Sequence, residues 1–154
     1  MNYEVEVLDE DDDDGTMPEN LEEFSDKVVG HRVVSVGSVD ESDLKVLEKN
    51  VPYLYMTNRS GLKLTLDNGK SVFLLNIEDC CAYTEVEDYI LNLDKIDHVI
   101  TGVGTTDGYN VWHIYADLGD IVTIDVGWSS GNPFYYGYGF KIVVIDEGEF
   151  NELS

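Results

Sequence analysis

Hydrophobic and polar positions alternate along much of the chain with the two-residue period of a half-buried β-strand. The clearest example is GLKLTLDNGKSVFLLNI, in which residues 62–66 alternate and residues 71–77 are mostly apolar. Between these two runs lies Asn68-Gly69, a pair typical of a tight hairpin turn. A second hairpin is predicted in NVWHIYADLGDIVTIDVGW, with its turn at residues 118–120.

Four further segments have strand-like patterns. Residues 31–39 are rich in β-branched side chains, and residues 98–104 and 140–146 form short apolar runs. At residues 2–8 a tyrosine and two valines alternate with glutamates, which predicts a loose edge strand. The pattern of residues 85–96 fits either a strand or a short helix.

One segment has the periodicity of a helix. In PENLEEFSDKVVG, residues 18–30, Leu21, Phe24 and Val28 recur at helical spacing, with proline near the start and glycine after the end. Residues 40–50 are predicted to form a loop, with a helical turn within it as the alternative. The whole pattern predicts an α+β fold that is mainly antiparallel β, a rolled sheet or small sandwich with one N-terminal helix packed on it.

The charge of the chain is extreme and uneven. The net charge is −23, and residues 1–26 hold twelve acidic residues and no basic ones. The run DEDDDD at residues 9–14 repels itself and is expected to be disordered or extended. We therefore divide the chain into an acidic segment at 1–18, a single β-rich domain at 19–146 and an acidic tail at 147–154.

This charge bears on partners and location. Binding to nucleic acid or to an anionic membrane requires lysine and arginine, so neither is expected. An acidic surface instead fits a partner with a basic surface, although solubility alone is an alternative reading. No apolar run reaches the roughly 18 residues of a membrane span. The expected location is intracellular, where thiols stay reduced, and association with a virion is the alternative.

Cys80 and Cys81 are the only cysteines and lie side by side after Asp79. A disulfide between neighbours strains the chain, and no pair of cysteines and histidines has the spacing of a metal site. A catalytic thiolate needs positive surroundings, and His113 is its best candidate partner. Packing of two small side chains at a strand end is the favoured interpretation.

A segment rich in aromatic residues and glycine follows the second hairpin, at residues 127–140. Tyrosine and tryptophan offer large contact areas with polar tips and are enriched at interfaces. The segment is thus either a recognition surface or a hairpin whose rings cover one end of the core. Its candidate binding residues are Trp128, Asn132, Phe134, Tyr135, Tyr136 and Tyr138.

Three stretches of the chain carry a family resemblance: VGHRVVSV (29–36), LTLDNGKSVFLLNIEDCCAYTEVEDY (64–89) and VWHIYADLGDIVTIDVGWSSGNPFYYGYGFKI (111–142). Together they resemble an uncharacterised family of small proteins carried mainly by tailed bacteriophages, over about residues 28–142. The most specific point is Asp79-Cys80-Cys81. The resemblance implies a phage origin and a small β-rich domain, and it implies no activity, cofactor or catalytic residue.

These observations favour a non-catalytic accessory protein of the host cytoplasm that binds a host or phage protein with a basic surface. A sharper version is a DNA mimic whose carboxylates imitate phosphates. The alternatives are a binder of nucleotide-type small ligands that uses the aromatic segment, and an enzyme that uses Cys80 or Cys81 with His113. No cofactor and no metal is predicted, and the oligomeric state is left open.

Overall fold

The strands form one open antiparallel sheet with helices packed on it. The computed structural model describes residues 3–52, 54, 57–131 and 136–151. The helices are α1 (Thr16–Val28), α2 (Glu41–Asn50) and α3 (Gly148–Asn151), with a 3₁₀ turn at Leu93–Lys95. The strands are β1 (Val33–Ser38), β2 (Thr57–Leu66), β3 (Lys70–Asp79), β4 (Ala82–Leu91), β5 (Gly102–Thr106), β6 (Val111–Ala116), β7 (Gly119–Ser129) and β8 (Lys141–Asp146). The predicted α+β class is confirmed.

The sheet forks at β3. Its strand order is β1-β2-β3-β4-β7-β6-β5, and β8 also pairs with β3. One edge of β3 is shared, because residues 70–75 pair with β8 and residues 77–79 pair with β4. Buried Asn76 lies at the fork, where its Nδ2 donates to Ser60 Oγ (3.0 Å) and its Oδ1 accepts from the Val86 N–H (2.9 Å). This amide replaces backbone bonds that the fork removes.

Both faces of β3 are buried, which explains its nearly unbroken apolar sequence. Val72 and Leu74 belong to the main hydrophobic cluster, which also contains the buried face of α1. On the other face, Phe73 and Leu75 pack in a second cluster with residues of α2 and β8. The domain therefore has helices on both faces of the sheet at this strand.

The predicted N-terminal helix is confirmed as α1. Met17, Phe24 and Val28 are fully buried, and the Phe24 ring lies 6.2 Å from that of Trp112. The acidic run supplies acceptors for the first N–H groups of the helix. Asp14 Oδ1 accepts from the Thr16 N–H (3.1 Å), and Asp13 Oδ1 accepts from the Met17 N–H (3.2 Å). Negative charge at a helix N-terminus is stabilising.

The prediction of a loop at residues 40–50 is wrong, because this segment is helix α2. Asp40 and Asp43 form a reciprocal capping box: Asp40 Oδ1 accepts from the Asp43 N–H (2.9 Å), and Asp43 Oδ2 accepts from the Asp40 N–H (3.0 Å). Val46 and Leu47 then bury one side of a short helix. The capping box and these two apolar residues are enough to form a helix, although few apolar residues of the segment recur at helical spacing.

The predicted edge strand at residues 2–8 is also wrong, since residues 3–8 lie outside the sheet. The alternating Val5 and Val7 are 71% and 87% exposed, so no apolar face is buried. We call residues 3–14 the N-terminal arm. It is attached through Tyr3, which stacks on His113, and through Glu6, whose carboxylate accepts two backbone N–H groups.

The remaining strand predictions are confirmed with shifted boundaries. Both hairpins and the closing strand are present. The ambiguous segment at 85–96 is the greater part of β4 followed by the 3₁₀ turn, and the strand expected at 98–104 begins only at Gly102. Among the described residues, no helix is long and apolar enough to span a membrane.

Candidate binding groove and cysteine turn

The two cysteines form the turn between β3 and β4. Asp79 pairs with Ala82, which leaves Cys80 and Cys81 as the two turn residues. Both thiols are free and exposed, and the two Sγ atoms lie 3.4 Å apart. The favoured prediction of buried packing is therefore wrong, because β3 leaves the core before it ends: Glu78 and Asp79 are already exposed, and the cysteines follow them. The neighbouring Cys80 thiol raises the pKa of Cys81.

The aromatic segment is bonded to this end of the β3–β4 hairpin. The Gly137 N–H donates to Asp79 Oδ2 (2.6 Å), and the Gly139 N–H donates to Thr84 Oγ1 (2.7 Å). The Tyr136 hydroxyl interacts with Cys80, which raises the pKa of the phenol. The two features that the sequence singled out separately are therefore neighbours in space.

The Trp128 ring is half-buried, and a stacking contact and a hydrogen bond fix its position. It stacks on Tyr138, with ring centroids 5.8 Å apart and planes 12° from parallel. Its Nε1–H donates to the Gly108 carbonyl (2.8 Å). Tyr138 is buried, and its hydroxyl lies 2.6 Å from Asp13 Oδ1 and 2.8 Å from Asp14 Oδ1. Burial, followed by the Asp13 hydrogen bond, raises the pKa of Tyr138.

Two hollows meet at Trp128 and Asn110. We call them together the Trp128 groove. The first has a volume of about 380 Å³ and is lined by Leu8, Asp11, Asp12, Gly108, Asn110, Trp128, Ser129, Ser130 and Gly131. The second has a volume of about 410 Å³ and is lined by Tyr83, Glu87, Asp107, Asn110, Val111, Asp125, Val126, Gly127 and Trp128. Five carboxylates and no basic residue occur among these lining residues, so the groove favours a cation.

The predicted aromatic contact residues differ in their exposure. Trp128 and Tyr136 are half-buried at the surface, whereas Tyr138 is buried beneath Trp128. Asn132, Phe134 and Tyr135 lie outside the described residues. Sequence reasoning missed the acidic wall of the groove, since Asp11 and Asp12 were placed in the acidic segment at 1–18 and Glu87 in a segment that fitted either a strand or a short helix.

His113 does not approach the cysteines. It pairs with Thr123 of β7, whereas the residue that follows the cysteine turn, Tyr83, pairs with Ser129. Six residues of β-strand span about 20 Å. His113 and the cysteine turn therefore lie at different ends of β7, and the predicted pairing of a cysteine with His113 is not formed.

His113 instead belongs to a polar cluster that holds the arm. Its Nδ1 lies 2.8 Å from Asp120 Oδ2 and its Nε2 lies 2.8 Å from Thr106 Oγ1. The Tyr3 ring stacks on the imidazole at 4.2 Å, and its hydroxyl donates to Asp120 Oδ1 (2.7 Å). Burial and the Asp120 bond raise the pKa of Tyr3 to about 12. Hydrogen bonds and stacking link all four side chains, and this cluster anchors the arm to the sheet.

No group of three or more histidine, cysteine, aspartate or glutamate side chains with metal-binding geometry occurs in the described part of the chain. The groove and the cysteine turn differ in the chemical groups that they offer to a ligand. The groove offers an aromatic face between carboxylates, which suits a positively charged group. The turn offers two adjacent sulfur atoms.

The fold and the groove define a small antiparallel β domain with an acidic, aromatic surface. The match to a family model covers residues 26–142. The chain therefore belongs to the DUF7448 family, whose description is a domain of unknown function. Most of α1 and the whole N-terminal arm precede the matched region. No match was found among curated proteins or among solved structures.

Proposed function

We propose that this protein acts without catalysis, by binding a basic segment of a partner protein in the Trp128 groove. The observation that carries the proposal is a half-exposed indole between five lining carboxylates with no lysine, arginine or histidine among the lining residues. An arginine or lysine side chain of the partner would lie against the Trp128 face while its charge faces the carboxylates.

The chemistry of the groove favours a cationic side chain over the alternatives. A cation over an indole face contributes about 0.5–2 kcal/mol, depending on how far it is desolvated. Opposite charges also speed the encounter of the two proteins. A nucleotide would bring its phosphates toward Asp11, Asp12, Glu87, Asp107 and Asp125, so a nucleotide sponge is disfavoured.

The setting of the proposal comes from the family resemblance. A small accessory protein of a tailed phage, made in the host cytoplasm, would meet basic host or phage proteins there. The carboxylates of the groove line two hollows that share Trp128. This arrangement fits recognition of individual basic side chains better than imitation of a DNA backbone.

The test is a calorimetric titration with a short arginine- and lysine-rich peptide, beside an acidic peptide of equal length and a nucleoside triphosphate. Two variants are compared with the natural chain. Glu87→Gln with Asp125→Asn neutralises two groove carboxylates. Glu22→Gln with Asp117→Asn is the matched control, since both residues are exposed on other elements.

We expect the basic peptide alone to bind and the groove variant to bind it about thirtyfold more weakly at low salt. Each carboxylate within about 4 Å of a cation contributes about 1 kcal/mol in water, so two contribute about 2 kcal/mol. The control should lose much less, because Glu22 and Asp117 do not line the groove and a peptide bound there would not contact them. Equal losses in both variants would attribute binding to net charge and refute the groove.

A further inference from the structure

The cysteine turn is a second surface feature, separate in chemistry from the groove. Asp79 and Ala82 pair as the last residues of two strands, and the two cysteines close the turn between them. Cys80 has φ = 55°, a left-handed conformation that side chains other than glycine rarely adopt. Tight hairpin turns commonly place glycine or asparagine at such positions. The turn thus holds an exposed cysteine at a position that glycine adopts more easily.

Three contacts fix the position of the two sulfurs. The strand pairing fixes the backbone on both sides of the turn, and the Gly137 N–H holds Asp79 directly before it. Tyr136 interacts with Cys80. Because the turn is held at its base, the 3.4 Å separation of the Sγ atoms requires little ordering before a ligand binds both.

The distance between the two Sγ atoms would allow both to bind one central atom. A centre bonded to both sulfurs at about 2.3 Å, the length of a zinc–thiolate bond, would have an S–centre–S angle of about 95°. This is close to the right-angle geometry of pyramidal trivalent arsenic and somewhat below the tetrahedral angle. Beside Cys80, a hollow of about 240 Å³ is lined by Glu78 and Glu85, whose charges favour a cation over a free thiolate.

We propose that Cys80 and Cys81 form a chelating dithiol site for one soft, thiophilic centre, a metal cation or a trivalent metalloid. The two thiols supply two coordination positions, and water or an organic substituent on the centre supplies the rest. The proposal rests on the turn alone and is independent of the Trp128 groove.

Phenylarsine oxide is the first probe, because its arsenic needs only two sulfurs. The two S–H bonds and the bond between arsenic and oxygen break, two As–S bonds form, and one water leaves with both thiol protons. Arsenic keeps its oxidation state, so no oxidant or reductant is involved. The product is a single adduct in which both thiols of one chain are blocked.

The experiment compares the natural chain with three variants. Cys80→Ser and Cys81→Ser each leave one thiol. Cys81→Ser with Ser38→Cys keeps two exposed thiols but separates them, since Ser38 is exposed at the end of β1, two strands from β3. Mass spectrometry counts adducts, a thiol reagent counts free thiols, and circular dichroism confirms folding of each variant.

We expect one adduct per natural chain, which survives excess monothiol and is removed by a dithiol. A neighbouring thiol has an effective concentration in the millimolar range, so retention should exceed that of the separated pair at micromolar protein by on the order of 10²- to 10³-fold. Retention by either single variant, or by the separated pair, to the same extent as the natural chain would overturn the proposal.

Cadmium alone is the second probe and distinguishes a cation from a metalloid. Binding would appear as sulfur-to-metal charge transfer in the ultraviolet and would disappear in both single variants. A chain that retains the arsenical and also shows this band has a site for soft cations. A chain that retains only the arsenical has a site for a metalloid, and a chain that chelates neither has no such site.

Discussion

The attachment of the N-terminal arm depends on one carboxylate, Glu6. In the turn between β5 and β6, Asp107, Gly108 and Tyr109 all have positive φ, at 58°, 63° and 65°. Their successive N–H groups form a concave anion site of the kind that such turns create. Glu6 fills it, since its Oε2 accepts from the Gly108 N–H (2.8 Å) and its Oε1 from the Tyr109 N–H (3.1 Å).

The replacement Glu6→Gln should weaken this attachment by about 1–2 kcal/mol. A hydrogen bond to a charged group contributes about 1.5–3 kcal/mol and a neutral one about 0.5–1.5 kcal/mol, so loss of charge removes about 1 kcal/mol per bond. The amide also presents only one oxygen to two donors. Because Glu6 is partly exposed, solvent screening reduces the summed loss for the two bonds. The bond from the Tyr109 hydroxyl to the Glu6 carbonyl (2.7 Å) is retained.

The assay is amide hydrogen exchange, with urea unfolding beside it. The arm can detach without global unfolding, so exchange at Gly108 and Tyr109 should accelerate about five- to thirtyfold, while the urea midpoint moves less. Glu4→Gln is the matched control, because Glu4 is an exposed residue of the same arm. If both variants exchange alike at Gly108 and Tyr109, the carboxylate does not hold the arm and the reasoning is refuted.

Two further predictions concern the fork and the response to alkaline pH. Asn76→Leu should lower the free energy of unfolding by about 1–3 kcal/mol in urea titrations, because the Val86 N–H loses its acceptor; a loss below about 0.5 kcal/mol would contradict the role of the fork. Burial, with the charges of Glu6 and Asp13, raises the pKa of Tyr109 from 10.0 to about 12, so the folded chain keeps a proton that the unfolded chain loses in this window. Stability should therefore fall as pH rises from about 10 to 12, and Tyr109→Phe should reduce the slope of the urea midpoint against pH; an unchanged slope would contradict this assignment.

The parts of the fold that the sequence predicted are those with local causes. Asn68-Gly69 specifies a turn within a few residues, and the alternation of the flanking strands needs no distant partner. The spacing of Leu21, Phe24 and Val28 likewise predicts α1 by itself. In α2 the local signal is also present, but it is atypical: the capping box is formed by Asp40 and Asp43, whereas the usual pair is serine or threonine with glutamate or glutamine.

The site could not be predicted in the same way because its contacts are distant in sequence. Asp79 and Gly137 are 58 residues apart, and Asp13 and Tyr138 are 125 apart. The periodicity of apolar residues along the chain does not predict contacts between residues so far apart in sequence. The cysteines illustrate the same limit at short range, since the apolar sequence of β3 does not show that the strand leaves the core before it ends, where Glu78, Asp79 and both cysteines are exposed.

The arm also links the groove to the rest of the molecule. Asp11 and Asp12 line the groove with Trp128, and the Gly108 carbonyl that accepts the indole N–H belongs to the turn that Glu6 holds. Because the arm supplies two of the lining carboxylates, a chain with its arm attached should bind a basic peptide more tightly than one with its arm free.

Linkage makes this dependence reciprocal, since a peptide that prefers the attached arm must stabilise the attachment. We expect a chain without residues 1–12 to bind the basic peptide more weakly. A saturating amount of the same peptide should slow exchange of the buried Tyr109 amide in the full chain by a comparable factor. Weaker binding after truncation with no change at Tyr109 would mean that the arm contributes only its charge. In that case its anchors at Tyr3 and Glu6 would serve stability and not recognition.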